Sequence, residues 1–324
     1  MSELHKFIFD GLPVRGMLVR LDEGWRELLR RRAGGSGGAF APEVRALLGQ
    51  MAAASVLMQA NIKFNGALVL QVFGDGPVRL AVVEVQPELL FRATAKIVGD
   101  VPAGAGLGEL LDQQGQGRCA ITLDPRERLP GQQPYQGVVP LRDARGQPLG
   151  SVASMLEHYM RQSEQLDTRL VLAADDSVAA GLLIQRLPEP GQSHAGAAAA
   201  AALDADGGGA DDAFTRIAML AGTLSDEELL ALDADSLLHR LFWQEPLRRF
   251  EPQHPRFVCN CSRERVRGML RGLGREESES LIAERGMVEV GCDFCGAQYR
   301  FDAVDVGEMF TPGSNQPPAS RSVQ

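Results

Sequence analysis

The chain lacks any run of about eighteen apolar residues, and its first residues, Met1 to Lys6, are polar rather than a basic start leading into an apolar stretch. Neither a membrane span nor a secretory leader is indicated, and the cytoplasm is the expected compartment. Cysteine is scarce, with five in 324 residues. That is too sparse for a disulfide framework, and a reducing compartment would keep thiols free for metal. Cations are in deficit: 33 Lys and Arg stand against 42 Asp and Glu, a formal net charge of -9. Phosphate binding draws on clustered Lys and Arg, so a general nucleic-acid role is opposed and the charge serves solubility. Gly74-Asp75-Gly76-Pro77 invites a phosphate-loop reading, but no Lys-Ser or Lys-Thr follows and the next element reads as a strand. No acid or nucleophile accompanies His158, so no triad can be located and a structural histidine is the reading.

What is present is enough for a real core, since 44% of the residues are hydrophobic, and the length suits about two domains plus connections. The first half is rich in strands. Lys6 to Phe9 and Val14 to Leu21 flank the turn signal Asp10-Gly11-Leu12-Pro13, and Ala67 to Phe73 and Val78 to Val85 flank Gly74 to Pro77. Further strands are expected over Leu89 to Val98, Arg118 to Leu123, Gly137 to Leu141, Thr168 to Ala173 and Val178 to Leu187. From Pro42, helical spacing puts Val44, Leu47, Leu48, Met51, Ser55 and Met58 on one face, the pattern of a core helix. Trp25 to Arg32 and Ser151 to Gln165 are the other helices of this half, and Gly34 to Gly38 is a flexible loop. Cys119 has apolar rather than cationic neighbours and reads as a core residue.

Composition changes after Leu187. Pro188-Glu189-Pro190-Gly191 leads into an Ala, Gly and Asp tract, residues 195–212, that cannot build a core. Beyond it lie three short amphipathic segments: Ala213 to Leu224 with Phe214, Ile217 and Leu220; a helix opened by the capping box Ser225-Asp226-Glu227-Glu228; and Asp235 to Trp243 with Leu237, Leu238, Leu241 and Phe242. Each is too short to persist alone in water, so they must lean on another surface.

Four of the five cysteines follow. Cys259 and Cys261 form a Cys-Asn-Cys pair, Cys292 and Cys295 a Cys-Asp-Phe-Cys-Gly pair, and thirty residues separate the pairs. The intervening chain suits two helices, one capped by Ser262 and the other stopped by Gly286, with a hairpin around the second pair. The pairs can therefore meet around one ion. Four soft thiolates point to Zn²⁺ in a closed tetrahedral shell with no position for a substrate water, which argues against zinc catalysis. The second pair has the form of a zinc knuckle. Cys-x-Cys is less usual, since it holds two sulfurs close but makes a strained disulfide of the labile kind. Two readings stay open on spacing alone, a structural zinc clip and a zinc site with a switchable half.

The order Cys-x-Cys, thirty residues, Cys-x-x-Cys, preceded by Leu241-Phe242-Trp243-Gln244-Glu245, resembles the redox-regulated 33 kDa chaperonin family of bacterial holdases. Phe73-Gly74-Asp75-Gly76-Pro77 followed by Leu80-Ala81-Val82, and Tyr159 to Gln165 ahead of Thr168, are also similar to that family's first domain. The resemblance implies an ATP-independent chaperone, not an enzyme. It implies one zinc on Cys259, Cys261, Cys292 and Cys295 in the inactive reduced state. Oxidation would form Cys259–Cys261 and Cys292–Cys295 disulfides, release zinc, unfold the linker and favour a homodimer that binds unfolding clients.

The expected architecture is α+β: a strand-rich N-terminal domain with core helices over 1–187, a helical linker over 188–258 carrying the insertion 195–212, a zinc module over 259–310, and a disordered tail over 311–324. The insertion is longer than the family's usual. Two other readings are an enzyme, a hydrolase or transferase, with a purely structural zinc clip, and a zinc-dependent nucleic-acid module. The first needs a polar pocket with a perturbed acid or base, which the sequence does not display. The second rests on Arg263, Arg265, Arg267 and Arg271, but the interleaved Glu264, Glu276 and Glu277 read better as a solvated face.

Overall fold

The computed structural model describes residues 1–35, 37–127, 133–187 and 208–311; side chains are described from 213 in the last stretch. The tract 195–207 and the tail beyond 311 lie outside the described residues. Within them the chain forms two compact units, Met1–Arg30 with Phe40–Val258, and Arg31–Ala39 with the residues from Cys259 onward.

In the first unit the elements run β1 (Glu3–Phe9), β2 (Val14–Leu21), α1 (Glu23–Ala33), α2 (Pro42–Asn61), β3 (Gly66–Phe73), β4 (Val78–Val85), β5 (Leu90–Ile97), α3 (Leu107–Leu111), β6 (Arg118–Pro125), β7 (Tyr135–Pro140), α4 (Val152–Ser163), β8 (Thr168–Ala174) and β9 (Ala179–Arg186). There follow α5 (Gly208–Ala221), α6 (Asp226–Ala231), α7 (Ala234–Phe242), β10 (Leu247–Arg249) and β11 (Arg256–Phe257). The strands make two sheets, ordered β10-β1-β2-β9-β8 and β11-β5-β4-β3-β6-β7. Pairing is antiparallel except where β11 joins β5 in parallel. The fold class is thus α+β.

Helix α2 is buried along most of its length because strands of both sheets pack on it. Leu48, Met51, Val56 and Leu57 meet Met17, Val19 and Leu183 of one sheet and Leu68, Leu70 and Val83 of the other in a single core. A Cβ on Gly49 would sit 2.4 Å from that of Ala174, so only glycine lets the helix approach β8 this closely. In β3, buried and partly buried residues alternate, the period of a strand with one face in the core. Strand β9 has no such alternation: every residue from Ala179 to Gln185 is buried. A strand buried on both faces reads as a continuous apolar run.

The second face of β9 is covered by the linker helices. Phe7, Phe9, Val14, Leu18, Leu182 and Ile184 pack with Ile217, Ala221, Leu229, Leu237, Leu241 and Phe242 in a second core. Phe242 packs on the touching pair Phe9 and Phe7, with ring centroids 5.1 and 6.1 Å away. Ser225 Oγ accepts from Glu228 N–H at 3.2 Å while Glu228 Oε2 accepts from Ser225 N–H at 3.1 Å, the reciprocal cap that the sequence announces. The short amphipathic helices do lean on a surface, the outer face of the five-stranded sheet.

The chain beyond α7 then adds a strand to one edge of each sheet. Segment Pro246 to Gln253 lies along β1, with Phe7, Ile8 and Phe9 opposite Arg249, Arg248 and Leu247, and Leu4 and Gln253 exchange backbone hydrogen bonds of 2.8 and 2.9 Å. Val258 N–H donates to Phe91 O at 3.1 Å, which leaves the next residue, Cys259, directly after an anchored strand.

The second unit contains α8 (Arg263–Leu273), α9 (Arg275–Arg285), β12 (Val288–Gly291), β13 (Gln298–Phe301) and α10 (Ala303–Met309). Its core is small: Leu270, Val288, Phe301, Val306 and Met309 are the buried apolar members. Arg263 links its parts, donating to Asp305 Oδ2 at 2.7 Å with its guanidinium 4.3 Å from the centre of the Phe301 ring.

Candidate metal centre

Cys259 and Cys261 sit on the extended segment ahead of α8, whose first turn is fixed by Ser262 Oγ accepting from Arg265 N–H at 3.2 Å. Cys292 and Cys295 occupy the turn between β12 and β13. Cys292 N–H donates to Ala297 O and Gly296 N–H to Cys292 O, each at 2.8 Å, so the hairpin folds the two thiols toward one side. Gly296 has φ 72°, the left-handed conformation that lets the turn close after Cys295.

All four Sγ atoms lie within 4.8 Å of one another. Cys259 and Cys292 sulfurs are 3.6 Å apart, and Cys261 and Cys295 sulfurs 3.3 Å. Metal–sulfur bonds of about 2.3 Å directed to tetrahedral corners require sulfurs about 3.8 Å apart. A disulfide would demand about 2.05 Å, and all four cysteines are unbridged. The donor set therefore fits a thiolate-bound ion, and these residues could hold one. Both of these contacts join a sulfur of one pair to a sulfur of the other, so each half of the cluster is knitted to the other.

The four thiols are not equivalent. Burial pushes Cys259 and Cys295 above their usual range. Burial acts upward on Cys261 too, but hydrogen bonds from Tyr299 and the neighbouring thiols outweigh it and hold this thiol below its usual value. Tyr299 Oη donates to Cys261 Sγ at 3.1 Å. Sequence reasoning passed over Tyr299. The available signal was strand alternation: Tyr299 and Phe301 fall on one face of β13, and Phe301 is the buried centre of the module.

The other singled-out residues take no part. Cys119 is fully buried in β6 opposite Val72 and Val139, and burial pushes its thiol up to about 12. His158 is half-buried on α4, a hundred residues from the cluster in sequence and in the other compact unit. Gly74 to Pro77 connects β3 to β4 rather than a strand to a helix, and Asp75 Oδ2 there accepts from Gln114 and Gln116 N–H at 3.0 and 2.9 Å. That loop is braced by its own chain. A cavity in the first unit does gather Arg15, Tyr135, Tyr159 and Glu164 among apolar walls. Burial and the nearby Glu164 carboxylate push both phenols upward, away from the range a general base needs at neutral pH. No helix among the described residues is long and apolar enough to cross a membrane.

An α+β unit built around a central helix, together with a small module that gathers four unbridged thiols at metal-binding distances, defines a two-unit protein with a candidate thiolate metal centre. The sequence model of the Hsp33 protein family matches residues 2–302. The 33 kDa chaperonin of Chromobacterium violaceum is 45% identical over 312 residues, covering 95% of this chain and 94% of its own. That of Methylobacillus flagellatus is 43% identical over 311 residues, covering 96% and 94%. The crystal structure of the 33 kDa chaperonin from Thermotoga maritima superposes with a TM-score of 0.73 at 21% identity, over 95% of this chain and 97% of that one, which shows the shared fold. The chain belongs to the Hsp33 family of 33 kDa chaperonins.

Proposed function

We propose that this protein is an ATP-independent holdase, switched on by oxidation of its four-cysteine centre, that shields unfolding proteins from aggregation. The observation that carries the reading is the set of four unbridged sulfurs within 4.8 Å, at the end of a segment whose apolar helices cover a sheet face. Cys259, Cys261, Cys292 and Cys295 are the ligands of one Zn²⁺ in the reduced protein. Bound there, the ion contributes its binding free energy to the folding of a module whose own core is too small to hold it.

The active state forms through sulfur. Each pair, Cys259 with Cys261 and Cys292 with Cys295, gives up two electrons to one peroxide, whose O–O bond breaks to yield water, and the two sulfurs join. Thiolates are the reactive form, and a disulfide sulfur is no longer a thiolate ligand, so oxidation removes all four donors. Order in residues 259–310 falls with them, and the linker of 188–258 loses the clamp at its C-terminal end. Release of α5 to α7 uncovers Phe7, Phe9, Leu182 and Ile184 together with the helices' own stripe. Contiguous apolar surface of that kind binds unfolded chains without fixed chemistry. The same surface favours a homodimer in the oxidised state. The protein acts in the cytoplasm, needs no nucleic acid or membrane, and is not an enzyme.

The test is peroxide with mild heat, without ATP, on purified protein challenged with a thermally unfolding client, while zinc content and free thiols are counted. Aggregation should be suppressed only after zinc has left and four thiols have disappeared. Verified zinc loss without suppression rejects the reading.

A further inference from the structure

We propose that the hydroxyl of Tyr299 is a positioning group for the cluster, donating to the Cys261 sulfur and so slowing its attack on oxidant. This rests on the redox reading above and adds a residue that slows oxidation at one sulfur of the cluster. The phenol is held from two sides. Its backbone pairs opposite Val290 in the β12–β13 hairpin, and its half-buried ring packs against the small core of the module. The hydroxyl then reaches Cys261 Sγ at 3.1 Å, and among the described residues this is the one sulfur of the cluster with a hydroxyl donor. A hydrogen bond to a thiolate is charge-assisted and draws density from the lone pair that would attack. Donors to ligand sulfurs are an established means of tuning thiolate centres.

The step it governs is a two-electron one. The Cys261 thiolate attacks one peroxide oxygen and the O–O bond breaks. One oxygen stays on sulfur as a sulfenic acid, and the other leaves as hydroxide and is protonated to water. The Cys259 thiolate then displaces the sulfenic oxygen, which leaves as a second water, and the disulfide forms. The Tyr299 hydroxyl opposes the first attack by occupying sulfur density that the peroxide needs.

The experiment compares the zinc-loaded full chain with Tyr299→Phe, which keeps the ring, and with 3-fluorotyrosine at 299, which keeps the ring and donates more strongly. Sulfenic acid at Cys261 is trapped and quantified by mass spectrometry against time in peroxide. Zinc transfer to a chelator is followed separately under reducing conditions. Trapping at Cys261 should quicken about three- to tenfold in Tyr299→Phe, the share of a charge-assisted bond lost in the transition state, and slow in the fluorinated protein. Any quickening of chelator transfer should be smaller than that of trapping. Equal trapping rates overturn the assignment. So does a chelator rate that rises as much as the peroxide rate, because the phenol would then be only a packing residue. A wild-type protein that is fully oxidised yet inert toward clients would instead sink the holdase reading, and the trapping comparison would still decide the role of Tyr299.

Discussion

Cysteine occurs in this chain in two physical settings, and reactivity should divide along them. Cys119 is sealed in a strand, where burial pushes its thiol from 9.0 up to about 12. A rise of that size leaves roughly a thousandfold less thiolate at any pH well below both values. In the reduced protein stripped of zinc, where the small module has melted and its thiols are exposed, iodoacetamide at pH 8 should therefore modify the four cluster cysteines and leave Cys119 untouched until denaturant is added. Peptide mass mapping would read this, and prompt labelling of Cys119 would mean that β6 opens readily. A second expectation concerns the ligands. Replacing Cys292 or Cys295 with Ser removes a soft donor from a closed set, and should weaken zinc by more than the ten- to hundredfold typical of losing a supporting contact. Competition with a chromophoric chelator would measure it; an unchanged affinity would show that this sulfur is not a ligand. The cysteine cluster was legible in the sequence because the spacing within each Cys pair is fixed by the covalent chain. Tyr299 was not, because its contact depends on how far a side chain reaches across a folded hairpin.

At the scale of elements, the linker helices show what amphipathic pattern can and cannot reveal. Ile217, Leu229, Leu237, Leu241 and Phe242 were readable as apolar stripes, and all are buried. That they cover the second face of the five-stranded sheet had a weaker signal, the unbroken apolar run of β9. Strands β10 and β11 were missed altogether. At three and two residues they have no periodicity, and Leu-Arg-Arg becomes a strand only because the edge of β1 offers partners some 240 residues away in sequence. Helix α3 was missed for a similar reason, since five residues inside a glycine-rich stretch carry too little pattern. The packing makes a direct prediction. Phe242→Ala removes the ring packed on Phe7 and Phe9, and a buried Phe→Ala change costs about 3–5 kcal/mol. Most of that loss falls on α7, so limited proteolysis between Leu224 and Trp243 should quicken in the fully reduced, zinc-loaded protein, with some holdase activity before any oxidant is added. Ser225→Ala, which removes a cap worth about 1 kcal/mol, should do the same more weakly. Equal protection in both variants would mean that the sheet face is not what holds the helices.

For the whole molecule, the two units are stabilised by different means, and under the proposed function that difference would order the events of activation. The module over 259–310 has five buried apolar residues and four thiols; a core of this size seldom stands without a metal or a cross-link. The linker helices have seventeen buried residues in their shared core with the sheet, and β10 adds backbone pairing along β1. Losing zinc should therefore melt the module outright but only remove one clamp from the linker. A strong chelator under reducing conditions, at low temperature, should raise amide exchange across α8, α9 and the β12–β13 hairpin while α7 and the β1–β10 pairs stay protected. Mild warming of the same sample should then open α5 to α7 together with β10, because apolar packing there has lost its C-terminal tether and the local free energy of opening is low enough to be reached. Hydrogen exchange read by mass spectrometry at two temperatures separates the steps. Simultaneous exchange of module and linker at low temperature would mean that the sheet face contributes little and zinc alone holds the linker. Protection of the linker that outlasts both chelation and warming, up to global unfolding, would mean that the four-cysteine centre does not control it at all.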